Sequence, residues 1–183
     1  MNHEPRLSGV LFSREQIAAR VGTLAREIDY FYAGQALVII CVLKGGFMFF
    51  SDLIRQITLS PRLDFVRIAS YGHKTSRDER IYFTKDVELP LRGEHVLIVE
   101  DIVDTGRSMD FLFRQFEARG ALSLRLAALV DKFERREVDI KVDFAGFSVS
   151  KGFVVGYGMD YAEKYRELPE IHLLTLGNTL ETH

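Results

Sequence analysis

The chain has a single cysteine, Cys41, which excludes an internal disulfide. It lies inside an apolar run and reads as a buried core thiol in a reducing cytoplasm. Net charge is nearly absent: 24 Lys and Arg against 26 Asp and Glu give −2, with a pI of about 6.2. That removes a broad electrostatic case for nucleic-acid or membrane-surface binding. The longest apolar run, Ala36 to Leu43, is eight residues, far below the ~20 needed to span a bilayer as a helix. The N-terminal MNHEPRLSG is polar and holds no signal-peptide core, so a cytoplasmic setting is expected. No internal repeat, low-complexity tract or linker is visible. His3, His95, His172 and His183 have no metal-ligand spacing, His73 suggests no role, and the GxxxxGK[ST] loop is missing. What remains is an ordinary globular mixture, 47% hydrophobic and 27% charged over 183 residues, enough for one domain.

The sequence is organised around HVLIVEDIVDTGRSMD, His95 to Asp110. Val96 to Val99 is an unbroken β-branched-rich run, the pattern of a strand covered on both faces. Acids follow at once: Glu100, Asp101 and then Asp104. Thr105, Gly106, Arg107 and Ser108 make a small hydroxylated loop. Met109, Phe111, Leu112 and Phe116 then keep helical spacing until Gly120. A strand, an acidic edge, a loop and a helix make half of a parallel α/β unit, whose ligands lie beyond the carboxyl ends of the strands. The Thr105–Ser108 loop suits a phosphate at a helix N-terminus. Glu100 and Asp101 suit a sugar diol or a divalent cation, and Asp104 could take up a proton. A solvated strand end and an ordinary turn account for any one of these acids about as well; three together weigh against that.

VLIVEDIVDTGRSM resembles the phosphoribosyl-pyrophosphate signature of the type I phosphoribosyltransferases, and its Glu-Asp pair and Asp-Thr-Gly resemble the 6-oxopurine branch. The resemblance implies an α/β fold, a twisted parallel core sheet flanked by helices, with a small hood from both chain ends. It implies transfer of a 5-phosphoribosyl group from phosphoribosyl pyrophosphate to N9 of hypoxanthine or guanine, with Mg²⁺ as cofactor. It also implies a homo-oligomer, dimer or tetramer. In this reading Glu100, Asp101, Asp104, Thr105, Gly106, Arg107 and Ser108 hold the phosphoribosyl group, and Asp104 is the catalytic base. Arg107 and Ser108 occupy loop positions that vary between members of the family.

The remaining motifs are read in chain order. Ser13 and Gln16 form a capping box for a first helix with a stripe of Ile17, Val21, Leu24, Ile28 and Phe31, ending at Gly34. Ala36–Leu43 is a buried strand followed by Lys44-Gly45-Gly46. On spacing alone a tight turn and an anion site fit this loop equally. LKGG resembles the family's pyrophosphate loop, which implies roles for Lys44 and Gly45 and a cis peptide between Leu43 and Lys44. Leu63–Ala69 is a strand. Ser70 to Arg80 is polar and patternless, a mobile surface loop on composition; the resemblance makes Ser70 and Tyr71 the start of a closing lid. Ile81–Glu88 reads as a hairpin arm.

Leu122–Val130 is a strand ending in Asp131-Lys132. Lys132 is by itself a solvated strand end, but LVDK resembles the segment whose lysine meets the purine O6. FERREVDIKV reads as a charged, irregular surface run. Short strands are expected over Phe144–Val149, Phe153–Tyr157 and Ile171–Leu176, with a frayed tail from Gly177. FVVGYGMDY is the second match: Phe153 resembles the aromatic that stacks on the purine, and Val154 the residue whose backbone reads its edge. Asp160 resembles a metal-coordinating acid, which joins Glu100 and Asp101 as metal ligands and borders the purine. Arg166 resembles an arginine that meets pyrophosphate. Two other classes of function fit the sequence less well. A ligand-sensing regulator would need a nucleic-acid surface, and none is visible. An aspartic protease would need a second Asp-Thr-Gly, and here the triplet opens a helix.

Overall fold

The structure is a computed structural model that describes residues 5–71 and 80–175, the side chains of Tyr71 and Arg80 aside. The loop expected over Ser70 to Arg80 and the tail from Gly177 therefore lie largely outside the described residues, as do His3, His73 and His183.

Twelve elements follow in order: β1 (Arg6–Phe12), α1 (Arg14–Phe31), β2 (Leu37–Leu43), α2 (Phe47–Ile54), β3 (Arg62–Tyr71), β4 (Arg80–Lys85), β5 (His95–Val103), α3 (Arg107–Ala118), β6 (Ser123–Lys132), β7 (Phe144–Val149), β8 (Phe153–Val155) and β9 (Ile171–Thr175). Six of the described strands form one sheet in the order β4-β3-β2-β5-β6-β7. All its neighbours pair parallel except the edge strand β4, which runs antiparallel to β3. The expected hairpin arm is this strand.

The two faces of the sheet can be read from alternate residues. Ile39, Cys41, Leu97, Val99, Ala127 and Leu129 face α1 and α2. Val38, Ile40, Val42, Val96, Ile98, Leu126 and Ala128 face α3 through Met109, Leu112 and Phe116. Both sets must be apolar, so β2, β5 and β6 appear in the sequence as continuous runs without alternation. Cys41 is fully buried there, and burial, with the charges of Glu100 and Asp101 behind it, pushes its thiol up. Because α2 and α3 cover opposite faces, the connections after β2 and β5 diverge. They leave a crevice at adjacent carboxyl ends, the switch point where α/β sheets take ligands.

The capping box at Ser13 and Gln16 is formed. Four of the five stripe residues of α1 are buried, and Phe31 is the exception at 46% exposed. The helix ends there, so the last inward position passes to the C-cap Tyr32, which is fully buried. The Phe31 ring lies beneath the Arg125 guanidinium and edge-on to Phe144. The hood is a second, antiparallel sheet, β1-β9-β8, joining the two ends of the described chain. β8 stops at Val155, short of the expected Tyr157, because Gly156 and Tyr157 take positive φ. No helix of the described residues is long and apolar enough to cross a membrane.

Candidate active site

Four loops converge beyond the carboxyl ends of β2, β5 and β6. The first follows β5. Gly106 adopts φ +84 and serves as N-cap of α3 without a side-chain cap. A residue with a side chain is disfavoured there twice over, by φ and because its Cβ would press on the Val138 carbonyl. The N-terminus of α3 has no side-chain cap from Gly106 and presents backbone N–H groups to an anion, that of Arg107 already donating to Thr105 Oγ1 at 3.4 Å. Beside it is a cavity of about 230 Å³ lined by Leu43, Glu100, Ile102, Asp104, Thr105, Gly106 and Ser108 among others. Arg107 forms an ion pair with Glu137.

A second cavity, of about 160 Å³, is lined by Asp101, Ile102, Asp104, Lys132, Phe153, Val154 and Asp160, with Gly152 and Met159. The two cavities share Ile102 and Asp104. Lys132 is only 5% exposed, so the solvated strand end is excluded. Its ammonium lies 3.6 Å from Asp104 and 3.7 Å from Glu134, ion-pair rather than hydrogen-bond distances. One carboxylate oxygen of Asp104, Oδ1, is buried with no hydrogen-bond partner; the other meets Arg135 at 3.4 Å. Phe153 is 37% exposed, its ring edge-on to Tyr161 at 5.5 Å. Val154, its neighbour, is buried.

The acids of β5 differ from each other. Glu100 is partly covered as a residue, but its Oε2 is buried and unpartnered. Burial, then a hydrogen bond to the Asp101 side chain and the Asp101 charge, hold the Glu100 carboxyl well above the usual carboxylate range. Asp101 packs against the LKGG loop, where a Cβ on Gly45 would overlap its carboxylate. The Leu43–Lys44 peptide is cis. A Cβ on Gly158 would in turn overlap the Gly45 carbonyl, so the β2 loop, the β5 acids and the turn after β8 touch.

Lys44 and Arg166 meet through that turn. Glu163 accepts from Lys44 Nζ at 2.8 Å and from Arg166 at 3.4 Å. Arg166 also binds Asp160 at 2.7 Å and the Gly158 carbonyl at 2.7 Å, while its Nε is buried without a partner. The hydrogen bond from Lys44 holds the Glu163 carboxyl below its ordinary range. An exposed carboxylate of the chain itself thus faces both cations that the resemblance assigns to pyrophosphate.

Glu100, Asp101 and Asp160 do not form a cage by themselves. Among the described residues, no three His, Cys, Asp or Glu side chains are placed to hold a metal ion. Mg²⁺ ordinarily takes one or two carboxylates and completes its shell with phosphate oxygens and water. The orphaned Glu100 oxygen beside Asp101 fits that partial donor set, and fits a sugar hydroxyl as well. Ser70 is the exposed penultimate residue of β3, which ends at Tyr71; of the expected lid segment, residues 72–79 lie outside the described residues. Glu134, Arg135, Arg136 and Glu163 are the residues missed from the sequence. The first three lie in a run whose density of charge looked like a solvated face, although it follows Lys132 directly.

The site thus joins a helix N-terminus suited to an anion to a pocket lined by a buried cation. The sequence matches the family model described as the phosphoribosyl transferase domain over residues 11–162, and the chain belongs to that family. It is similar to hypoxanthine-guanine phosphoribosyltransferase of Bacillus subtilis, 40% identical over 174 residues, 95% of this chain and 96% of that one. Hypoxanthine phosphoribosyltransferase of Escherichia coli is 41% identical over 164 residues, 88% of this chain and 92% of the other. Among solved structures, hypoxanthine phosphoribosyltransferase of Staphylococcus aureus superposes with a TM-score of 0.88 at 36% identity, covering 92% of each chain.

Proposed function

We propose that the protein is a purine-salvage enzyme that transfers the 5-phosphoribosyl group of phosphoribosyl pyrophosphate to N9 of hypoxanthine or guanine, releasing pyrophosphate. One observation carries this most: the two cavities meet at Asp104, one against the helix N-terminus at Gly106 and the other against a buried lysine.

The roles follow from the charges. Thr105, Gly106, Arg107 and Ser108 cradle the 5′-phosphate with Asp104 at the loop entrance. Glu100 and Asp101 hold the ribose hydroxyls. Glu100, Asp101 and Asp160 would hold Mg²⁺, which would neutralise charge on the departing pyrophosphate. Lys44, Gly45 and Arg166 bind pyrophosphate, which displaces Glu163 from the two cations. Phe153 stacks on the base, the Val154 backbone reads its edge, and Lys132 donates to O6. Asp104 Oδ1, without a hydrogen bond and 3.6 Å from the Lys132 ammonium, takes up the base proton at N7 as N9 attacks. Ser70 and Tyr71 begin a lid that excludes water from the reacting carbon.

A homo-oligomer and a cytoplasmic location belong to the same reading. Phe47, Leu63 and Phe65 are apolar and each more than a third exposed, surface that a second copy would cover. The test is the initial rate of nucleotide formation from phosphoribosyl pyrophosphate and Mg²⁺ with hypoxanthine, guanine, xanthine and adenine. Turnover of hypoxanthine or guanine at least tenfold above adenine is expected; no nucleotide from any base would overturn the reading.

A further inference from the structure

Beyond the strand ends, Arg136 reaches back into the fold. Its Nε donates to the Asp104 carbonyl at 3.1 Å and its Nη1 to the Ile140 carbonyl at 3.0 Å. Its Nη2 meets the carbonyls of Val103 at 3.2 Å and Lys132 at 3.0 Å, and it pairs with the Asp131 carboxylate. Asp131 is 9% exposed, and the last parallel pairing of β5 with β6 is Val103 with Asp131. Just past that pairing the strand carbonyls lose their ladder partners. A guanidinium, with five donors in a fixed fork, replaces them across both strands.

The direction of these bonds matters. In a trans peptide the C=O and the following N–H point opposite ways. Holding the Asp104 carbonyl therefore turns the Thr105 N–H away from Arg136. The Thr105 carbonyl is held in turn by the N–H groups of Glu137 at 2.9 Å and Val138 at 3.1 Å, which turns the Gly106 N–H away as well. Thr105 and Gly106 line the larger cavity, and residues 136 to 138 do not. The 136–138 segment braces the loop from behind and leaves its donors facing the cavity. Through the Lys132 carbonyl the same guanidinium fixes the base-side lysine.

We infer that Arg136 is a positioning residue that aims the backbone donors of the Thr105–Ser108 loop at a 5′-phosphate and ties that loop to Lys132. The inference rests on the functional reading above for the identity of the phosphate. Arg20 is the matched control: it is also partly buried and binds carbonyls, but those of Gly146 and Ala145, which line neither cavity, whereas Asp104 and Lys132, held by Arg136, do.

The experiment measures melting temperature, the dissociation constant for ribose 5-phosphate by calorimetry, and KM for phosphoribosyl pyrophosphate and hypoxanthine. Arg136→Met and Arg20→Met are both expected to melt earlier. Only Arg136→Met should weaken ribose 5-phosphate and raise both KM values, by about 10- to 100-fold, the range for groups that orient a binding residue. Arg136→Lys should recover part of the loss, since an ammonium can hold fewer of these carbonyls at once. Binding within twofold of wild type in a destabilised Arg136→Met protein would overturn the inference. If Arg136→Met does not fold, wild-type binding by Arg136→Lys overturns it and weakened binding supports it. A wild type that binds ribose 5-phosphate but forms no nucleotide retires the transfer reaction and leaves the brace standing; one that binds none retires both.

Discussion

Asp104 and Lys132 divide the work on the base between them. Asp104 has one oxygen engaged by Arg135 and one buried without a hydrogen bond, 3.6 Å from the Lys132 ammonium. Asp104→Asn keeps the shape but cannot accept a proton, so kcat should fall by ~10²–10⁴-fold with smaller changes in KM. Steady-state rates paired with single-turnover rates check this; an unchanged chemical step would remove Asp104 from proton transfer. Lys132 offers donors and no acceptor. It matches the O6 of a 6-oxopurine and meets the 6-amino group of adenine donor to donor. Lys132→Ala should therefore narrow the hypoxanthine-to-adenine ratio of kcat/KM by about tenfold or more, mainly through loss of the good substrate. Glu100 gives a pH signature. Its folded-state carboxyl titrates well above the usual 4.5, so the folded state binds the proton more tightly than the unfolded chain. Stability is lost as pH rises from about 4.5 through that higher value. Glu100→Gln should flatten the fall in Tm as pH rises above about 4.5 while impairing turnover. Parallel Tm slopes in the two proteins would show that the buried acid does not titrate there.

At the scale of elements, the LKGG loop is held by contact as well as charge. A Cβ on Gly45 would overlap the Asp101 carboxylate. Gly45→Ala should thus displace Asp101 and lower kcat/KM by about tenfold or more, while Tm changes little, because the clash falls on a loop and a side chain. Wild-type kinetics in that variant would mean that Asp101 can move without consequence. The same scale shows what the sequence discloses. β2, β5 and β6 are legible because a strand buried on both faces must be apolar throughout. The α1 capping box is legible because it is local. The limits are local as well. Phe31 has the right spacing for the stripe, but helix termination at Tyr32 is set by packing. β1 escapes because a short, mostly exposed segment acquires its partner β9 from the far end of the chain. Arg136 escapes because its acceptors are backbone carbonyls, which have no letter in a sequence.

For the whole molecule, the crevice exists because α2 and α3 leave the sheet on opposite faces and the hood lies across the opening. Lys44 from β2, Asp104 from β5, Lys132 from β6 and Phe153 from the hood each come from a different element. Each is singled out through its own short segment, LKGG, VLIVEDIVDTGRSM, LVDK and FVVGYGMDY, whereas their convergence depends on strand order. The account's central claim is that one ligand runs from the α3 N-terminus to Lys132. The most direct test is the structure of the protein with the nucleoside monophosphate of hypoxanthine. The phosphate is expected against Thr105–Ser108, the ribose hydroxyls at Glu100 and Asp101, the purine on Phe153, and O6 within hydrogen-bond reach of Lys132. A phosphate bound at the LKGG loop, or a purine with O6 turned away from Lys132, would contradict it.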